Sequence, residues 1–183
     1  MRGRAGRFKV LALPHLDDAY ALARYLLGSA ADAEDAVQDC YLRALQHFDT
    51  YHGPEFKPWL FAILRNSCHA LRARRRMDAP PGASGVLDDE ALECAEPLWN
   101  EAQETPERAV LRRLDAEAIR GLVAALPDPF REVIVLREIN DLSYREIAEV
   151  IGAPVGTVMS RLARARALLR TAWLAAEGRE EPR

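Results

Sequence analysis

The chain has 183 residues, of which 49% are hydrophobic and 29% charged, and its formal net charge is −3. This length holds one or two small domains, and no stretch approaches the roughly 20 apolar residues that a membrane span requires. Nothing at the N-terminus combines a charged start with an apolar run long enough for export, so a cytoplasmic protein without membrane insertion is expected.

Residues 1–77 read as a first helical domain. Leu16, Ala19, Tyr20, Ala23, Leu26 and Leu27 form an apolar stripe ended by Gly28, and a second helix is expected from Asp32 to Phe48. Its inward side carries Val37, Tyr41, Ala44, Leu45 and Phe48, and its outer side shows Asp35, Gln38, Asp39 and Leu42. Such an outer side is either plain solvated surface or a docking face. Thr50 to Pro58 contains Gly53, Pro54 and Pro58 and is expected as a loop, followed by a helix from Trp59 to Arg76.

Charge is segregated along the sequence, so the low net value does not exclude nucleic acid as a partner. Phe61 to Met77 carries Arg65, Arg72, Arg74, Arg75 and Arg76 with no acid. Phe56, Trp59 and Phe61 stand at the start of this helix, and rings beside dense positive charge suit bases and phosphates. Core packing is the alternative role for Trp59 and Phe61. Asp78 to Glu107 then holds nine acidic residues and no basic one, with Pro80, Pro81, Gly82, Gly85 and Pro97 among them. Too little apolar surface is present there to offset ordering entropy, so a flexible acidic linker is expected over 78–104.

A second helical domain is expected over 105–183. Thr105 and Pro106 suit an N-cap and a first helical position, and Leu111, Leu114, Ala118, Leu122 and Ala125 form the next stripe. Pro127 and Pro129 break it, and another helix is expected from Phe130 to Ile139 before Asn140 and Asp141 turn the chain. The segment from Ser143 to Arg170 predicts a helix-turn-helix. Ser143 and Glu146 have the spacing of a capping box, Gly152 supplies a tight exit, and Pro154 fits the first turn of the next helix. There Val155, Val158, Leu162, Ala165 and Leu169 form a buried stripe that leaves Thr157, Ser160, Arg161 and Arg164 outward, toward a major groove. An ordinary helical hairpin with a solvated arginine face is the alternative.

Catalysis is not expected: there is no phosphate-binding glycine loop, no metal-ligand spacing and no nucleophile with a placed base. His15, His47, His52 and His69 are scattered, and Cys40, Cys68 and Cys94 lack the paired spacing of zinc or disulfide frameworks. The sequence therefore implies no metal and no cofactor.

Both halves resemble the extracytoplasmic-function (ECF) group of bacterial sigma factors in the sigma-70 family, over most of the chain. The second-region resemblance lies in DAEDAVQDCYLRAL at Asp32 to Leu45 and FKPWLFAILRNSCHALRARRR at Phe56 to Arg76. The fourth-region resemblance lies in TPERAV at Thr105 to Val110, LPDPFREVIVLREINDLSYREIAEVIG at Leu126 to Gly152, and GTVMSRLARAR at Gly156 to Arg166. The resemblance implies an all-α fold with two small helical domains and a terminal helix-turn-helix. It also implies that the chain binds core RNA polymerase at the largest-subunit coiled coil and the flap, directs initiation at promoter DNA, and is held by a cognate anti-sigma factor.

Site roles follow from the same resemblance. Asp35, Gln38, Asp39 and Leu42 would contact the coiled coil. Lys57, Arg65, Asn66, His69, Arg72 and Arg75 would engage the minus-ten element as a melted strand, with an unpaired base captured near the preceding loop. Arg145, Thr157, Ser160, Arg161 and Arg164 would read the minus-thirty-five element in duplex form. The long acidic linker, Cys40 and Met159 depart from the family's usual pattern, and Met159 replaces a common basic residue. A helix-turn-helix repressor or activator would leave the first domain idle, and a sigma mimic that binds only an anti-sigma factor need not keep both basic runs.

Overall fold

The computed structural model describes residues 3–78 and 118–176, and every regular element among them is helical. Helix α1 (Arg4–Ala12) passes through a 3-10 turn at Leu13–His15 into α2 (Leu16–Leu27). Helices α3 (Ala30–Gln46) and α4 (Phe56–Asp78) complete a first lobe. A second lobe contains α5 (118–125), α6 (Asp128–Ile134), α7 (Tyr144–Ile151) and α8 (Val155–Ala176). The expected linker beyond Asp78, the helix start at Thr105 and Pro106, and Cys94 lie outside the described residues.

Local chemistry sets the boundaries. Gly28 ends α2 at φ 80°, and its N–H donates to Arg24 O at 2.8 Å. Ser29 then caps α3, its hydroxyl accepting from the Asp32 N–H at 3.4 Å, so the helix starts at Ala30 rather than Asp32. Helix α4 begins at Phe56, three residues before the expected Trp59, with Pro58 in the first turn where a missing N–H breaks no helical bond. Helix α1 has no counterpart among the elements expected from sequence. It buries only Phe8 and Ala12, too sparse a pattern to declare a face.

Two sets of side chains form the core. In the first lobe Leu22, Leu60, Phe61 and Leu64 are fully buried, each burial worth about 1.5–3 kcal/mol relative to exposure. Phe8 sits edge-on to Phe48, Phe56 and Tyr41 at centroid distances of 5.4, 6.1 and 6.3 Å, which pins α1 to this core. Arg4 reinforces that anchor by donating to the Leu45 and Gln46 carbonyls at the end of α3, at 2.9 and 2.8 Å. In the second lobe Val133, Leu136, Ile147, Val158 and Leu162 are buried where α6 and α7 pack on α8.

Helix α6 does not run regularly to Ile139. After Ile134 it widens into a π turn over Val135–Ile139, closed by the Asn140 N–H donating to Val135 O at 3.0 Å. Asp141 follows at φ 56°, the left-handed region that Asp tolerates better than most residues. The two lobes touch: α2 and α4 pack against α6, its π turn and α7.

Candidate nucleic-acid interface

The helix-turn-helix forms as its sequence dictates. Ser143 Oγ accepts from the Glu146 N–H at 3.3 Å while Glu146 Oε2 accepts from the Ser143 N–H at 2.7 Å, completing the capping box. Gly152 takes the left-handed conformation at φ 63° that ends α7. Pro154 stands at the cap rather than inside α8, its carbonyl accepting from the Thr157 N–H at 2.9 Å.

Val158, Leu162 and Ala165 turn α8 inward, but Val155 is 37% exposed and does not join that stripe. On the outer side Ser160 and Arg164 are exposed, Thr157 and Arg161 are half-buried, and Arg145 is exposed on α7. Ser160 Oγ donates to Thr157 O at 3.0 Å, which leaves its hydroxyl oxygen as an acceptor. Met159 adds an apolar surface, 54% exposed, to this face. Arg166 is drawn out of the basic run by Glu138, at 2.7 Å.

The α4 residues divide into three groups. Lys57, Arg65, His69 and Arg72 line the side facing the second lobe. Arg65 Nε pairs with Glu132 at 2.5 Å, His69 Nε2 lies 3.5 Å from the same carboxylate, and Arg72 pairs with Asp128 at 2.8 Å. Lys57 Nζ pairs with Asp18 at 2.6 Å and donates to the Asn140 carbonyl at 2.7 Å. Arg75 instead pairs with Asp32 at the start of α3, and Asn66 is exposed without sharing either arrangement.

Glu132 is nearly enclosed, its side chain 5% exposed. Burial opposes its ionisation, but hydrogen bonds from His69 and Arg65 outweigh that and hold its carboxyl below the usual glutamate range. The seam carries further polar links. Arg131, itself buried, donates to Leu126 O at 2.7 Å and to Tyr25 O at 3.4 Å across the seam. Asn140 Nδ2 donates to Asp18 O at 3.1 Å.

An open cavity of about 500 Å³ lies beside the α3–α4 loop, lined by Tyr51, Pro54, Trp59, Ala62 and, from α7, Glu146 and Glu149. Trp59 is neither a pure core residue nor fully exposed: its ring lies 5.4 Å from both Tyr51 and Phe56. Phe61, by contrast, is wholly buried.

On α3, Asp35, Gln38 and Leu42 are exposed, Leu42 by 56%. Asp39 differs from this set. It is half-buried and held by Arg43 at 2.7 Å and by the Ser67 hydroxyl at 2.8 Å. A second open groove, about 520 Å³, runs between α2 and α3 past Leu16, Tyr20, Gln38 and Tyr41.

Sequence reasoning missed Asp18, Asp32, Asp128 and Glu132 as partners of the cationic residues. Each of the last three lies 43 to 67 residues from its α4 partner, and Asp18 lies 39 from Lys57. A single acid inside a helix reads as surface, so no local signal could have found them. Among the described residues no cluster of His, Cys, Asp or Glu could hold a metal ion, and no helix is long and apolar enough to cross a membrane.

The family model for Sigma-70 region 2 matches residues 11–77, and that for Sigma-70 region 4 matches residues 116–169. RNA polymerase sigma-H factor of Pseudomonas aeruginosa is 31% identical over 90% of this chain and 85% of its own length. ECF RNA polymerase sigma factor SigW of Bacillus subtilis is 33% identical over 84% of this chain and 82% of its own. The chain belongs to the ECF sigma factors.

Solved structures agree with that family. The sigma factor RpoE, in complex with the anti-sigma factor NepR from Bartonella quintana, is 28% identical with a TM-score of 0.66, covering 92% of this chain and 96% of that one. CnrH in complex with the cytosolic domain of CnrY is 27% identical with a TM-score of 0.64, covering 95% and 91%. In this sigma factor α2, α3 and nearly all of α4 fall within the region 2 match, and α6, α7 and most of α8 within the region 4 match.

Proposed function

We propose that this sigma factor divides its work between a second-region domain, 1–77, and a fourth-region domain, 105–183, joined by the acidic stretch 78–104. The outer face of α3, with Asp35, Gln38, Asp39 and Leu42, docks on the coiled coil of the polymerase's largest subunit, and the fourth-region domain meets the flap. Helix α4 holds the melted minus-ten strand through Lys57, Arg65, Asn66, His69, Arg72 and Arg75. The aromatic cavity at Trp59 and Tyr51 takes an unpaired base by stacking. Helix α8 reads the minus-thirty-five duplex with Thr157, Ser160, Arg161 and Arg164, and Arg145 contacts the backbone nearby. No bond is made or broken in this scheme. Phosphate contacts and stacking offset the few kcal/mol that base unstacking costs.

The observation that carries this reading is the α7–α8 unit: a capped helix, a left-handed glycine turn and a second helix whose outer side is basic and acid-free, with Met159 as an exposed apolar residue among the polar ones. Control by a cognate anti-sigma factor is supported by the related RpoE structure, which is a complex with an anti-sigma factor. The decisive experiment is run-off transcription with purified core polymerase on a randomised promoter library. Start sites with two recurring upstream elements are expected, and failure to initiate anywhere, with no anti-sigma factor present, would overturn the proposal.

A further inference from the structure

Two ridges of different chemistry run side by side along the start of α8. Val155, Met159 and Ala163 follow one another at i, i+4 spacing and are all exposed, Met159 by 54%, so they form an apolar ridge open to solvent. Gly156, Ser160 and Arg164 make the next ridge, one residue along, and its side chains are polar and basic. Packing within the lobe does not account for the apolar ridge, because Val158, Leu162 and Ala165 carry the buried side of α8. Nor does it account for Gly156: a side chain there would meet nothing within 4 Å, yet glycine is a poorer helix former than alanine.

We infer that Met159 is a specificity-determining residue that reads the C5-methyl group of a thymine in the major groove of the upstream element. This role presupposes that α8 reads a duplex, as proposed above, and adds a residue and a base feature to that reading. Duplex DNA is the occupant that the borders of the ridge favour. Helix α8 carries Arg161, Arg164, Arg166 and Arg170 and no acid, and Arg164 stands one turn beyond Ser160 on the adjoining ridge, where a phosphate backbone would flank the bases.

The chemistry of the side chain selects the base. A thioether has no strong hydrogen-bonding atom, so Met159 would strip water from purine N7, O6 or amino edges and give nothing back. Against a methyl group it gains, because apolar surface on both partners leaves water. Thymine is the base whose major-groove edge carries that methyl, and an unbranched, adaptable side chain can follow it. Ser160, the next residue, has its hydroxyl hydrogen committed to Thr157 O at 3.0 Å, so its oxygen is left to accept. An A·T pair offers an amino donor and a methyl in the major groove, and neighbouring Ser160 and Met159 present the two matching contacts. Gly156, one turn before Met159, keeps the backbone bare there and lets the helix sit close to the bases.

The test uses holoenzyme assembled from the full chain and core polymerase, with bound duplexes selected from a randomised library and sequenced. An upstream element that includes thymine is expected. Deoxyuridine, which differs from thymidine only in lacking the methyl, is then placed at each such thymine in turn. One position should bind about fourfold more weakly, the factor that corresponds to moving one methyl group out of water. Met159→Ala should bind the thymine duplex about as weakly and lose nothing further with deoxyuridine at that position. Leu168→Ala, which removes another exposed apolar side chain farther along α8, should keep the full response. Thermal unfolding of M159A should match the wild type, since the side chain it shortens lies in solvent. Deoxyuridine neutral at every thymine, or an undiminished response in M159A, overturns the assignment of Met159 while the selected upstream element leaves the proposed role of α8 standing. A library that enriches no upstream element overturns both.

Discussion

Ser67 Oγ donates a 2.8 Å hydrogen bond to Asp39 Oδ2, tying the helix proposed to hold DNA to the helix proposed to hold polymerase. Burial works against Asp39 ionisation, yet hydrogen bonds from Arg43 and Ser67 hold its carboxyl below the ordinary aspartate range. Ser67→Ala removes one of these donors, and water can replace it only in part because Ser67 is buried. A loss of about 1 kcal/mol is expected. The urea midpoint should fall with an unchanged slope, whereas a midpoint within error of the wild type would mean the bond contributes nothing.

Glu132 gives the seam a pH signature. Its carboxyl titrates below the unfolded value, so the stability it contributes is complete above the ordinary glutamate range and is lost as pH falls through the lowered folded value. Urea midpoints of wild type and E132Q should therefore differ by a constant amount around neutrality and converge below about pH 4. Near neutrality the wild type should be the more stable of the two, and an E132Q chain as stable as the wild type there would show that the Glu132 charge contributes nothing.

Two substitutions test the reading unit. Ser143→Ala removes the cap of α7 and should cost about 1 kcal/mol. Gly152→Val forces a β-branched side chain onto a backbone at φ 63° and should cost on the order of 1–3 kcal/mol. Thermal denaturation followed by circular dichroism measures both, and a G152V chain as stable as the wild type would mean the turn relaxes.

Arg161 and Arg164 can be assigned by salt dependence once holoenzyme and a promoter are in hand. An alanine that removes a phosphate contact should weaken binding evenly across sequences and lower the log–log salt slope by about 1, while loss of a base contact should cost about 1–3 kcal/mol at one position. A substitution that changes neither removes that residue from the interface.

Cys40 and Cys68 should be inert in the folded chain. Burial pushes the Cys68 thiol up to about 12 and raises Cys40 further, and only the thiolate reacts readily. Iodoacetamide with peptide mapping should label neither residue at neutral pH and both in urea. Native labelling of Cys68 would reveal an opening between α3 and α4.

Features written in contiguous residues are legible in the sequence. The Ser143–Glu146 cap and the Gly152 turn are decided within one helical turn, and each forms as read. The start of α4 falls earlier than expected because Pro58 reads as a loop signal although it is equally at home in a first turn. Helix α1 hides because it has two buried residues and no acid in its first turn. The seam is illegible for a different reason: Arg65 and Glu132 are 67 residues apart, and nothing local marks either as the other's partner. The cationic character of α4 can be read residue by residue, but the present companions of those cations depend wholly on how the lobes meet.

The outer face of α3 stays uncovered, with Asp35, Gln38 and Leu42 exposed, while Arg65 and Arg72 on α4 are paired with acids of the second lobe. On the roles proposed above, a partner of α3 finds its surface ready, whereas a strand reaching Arg65 and Arg72 has to displace the carboxylates of Glu132 and Asp128.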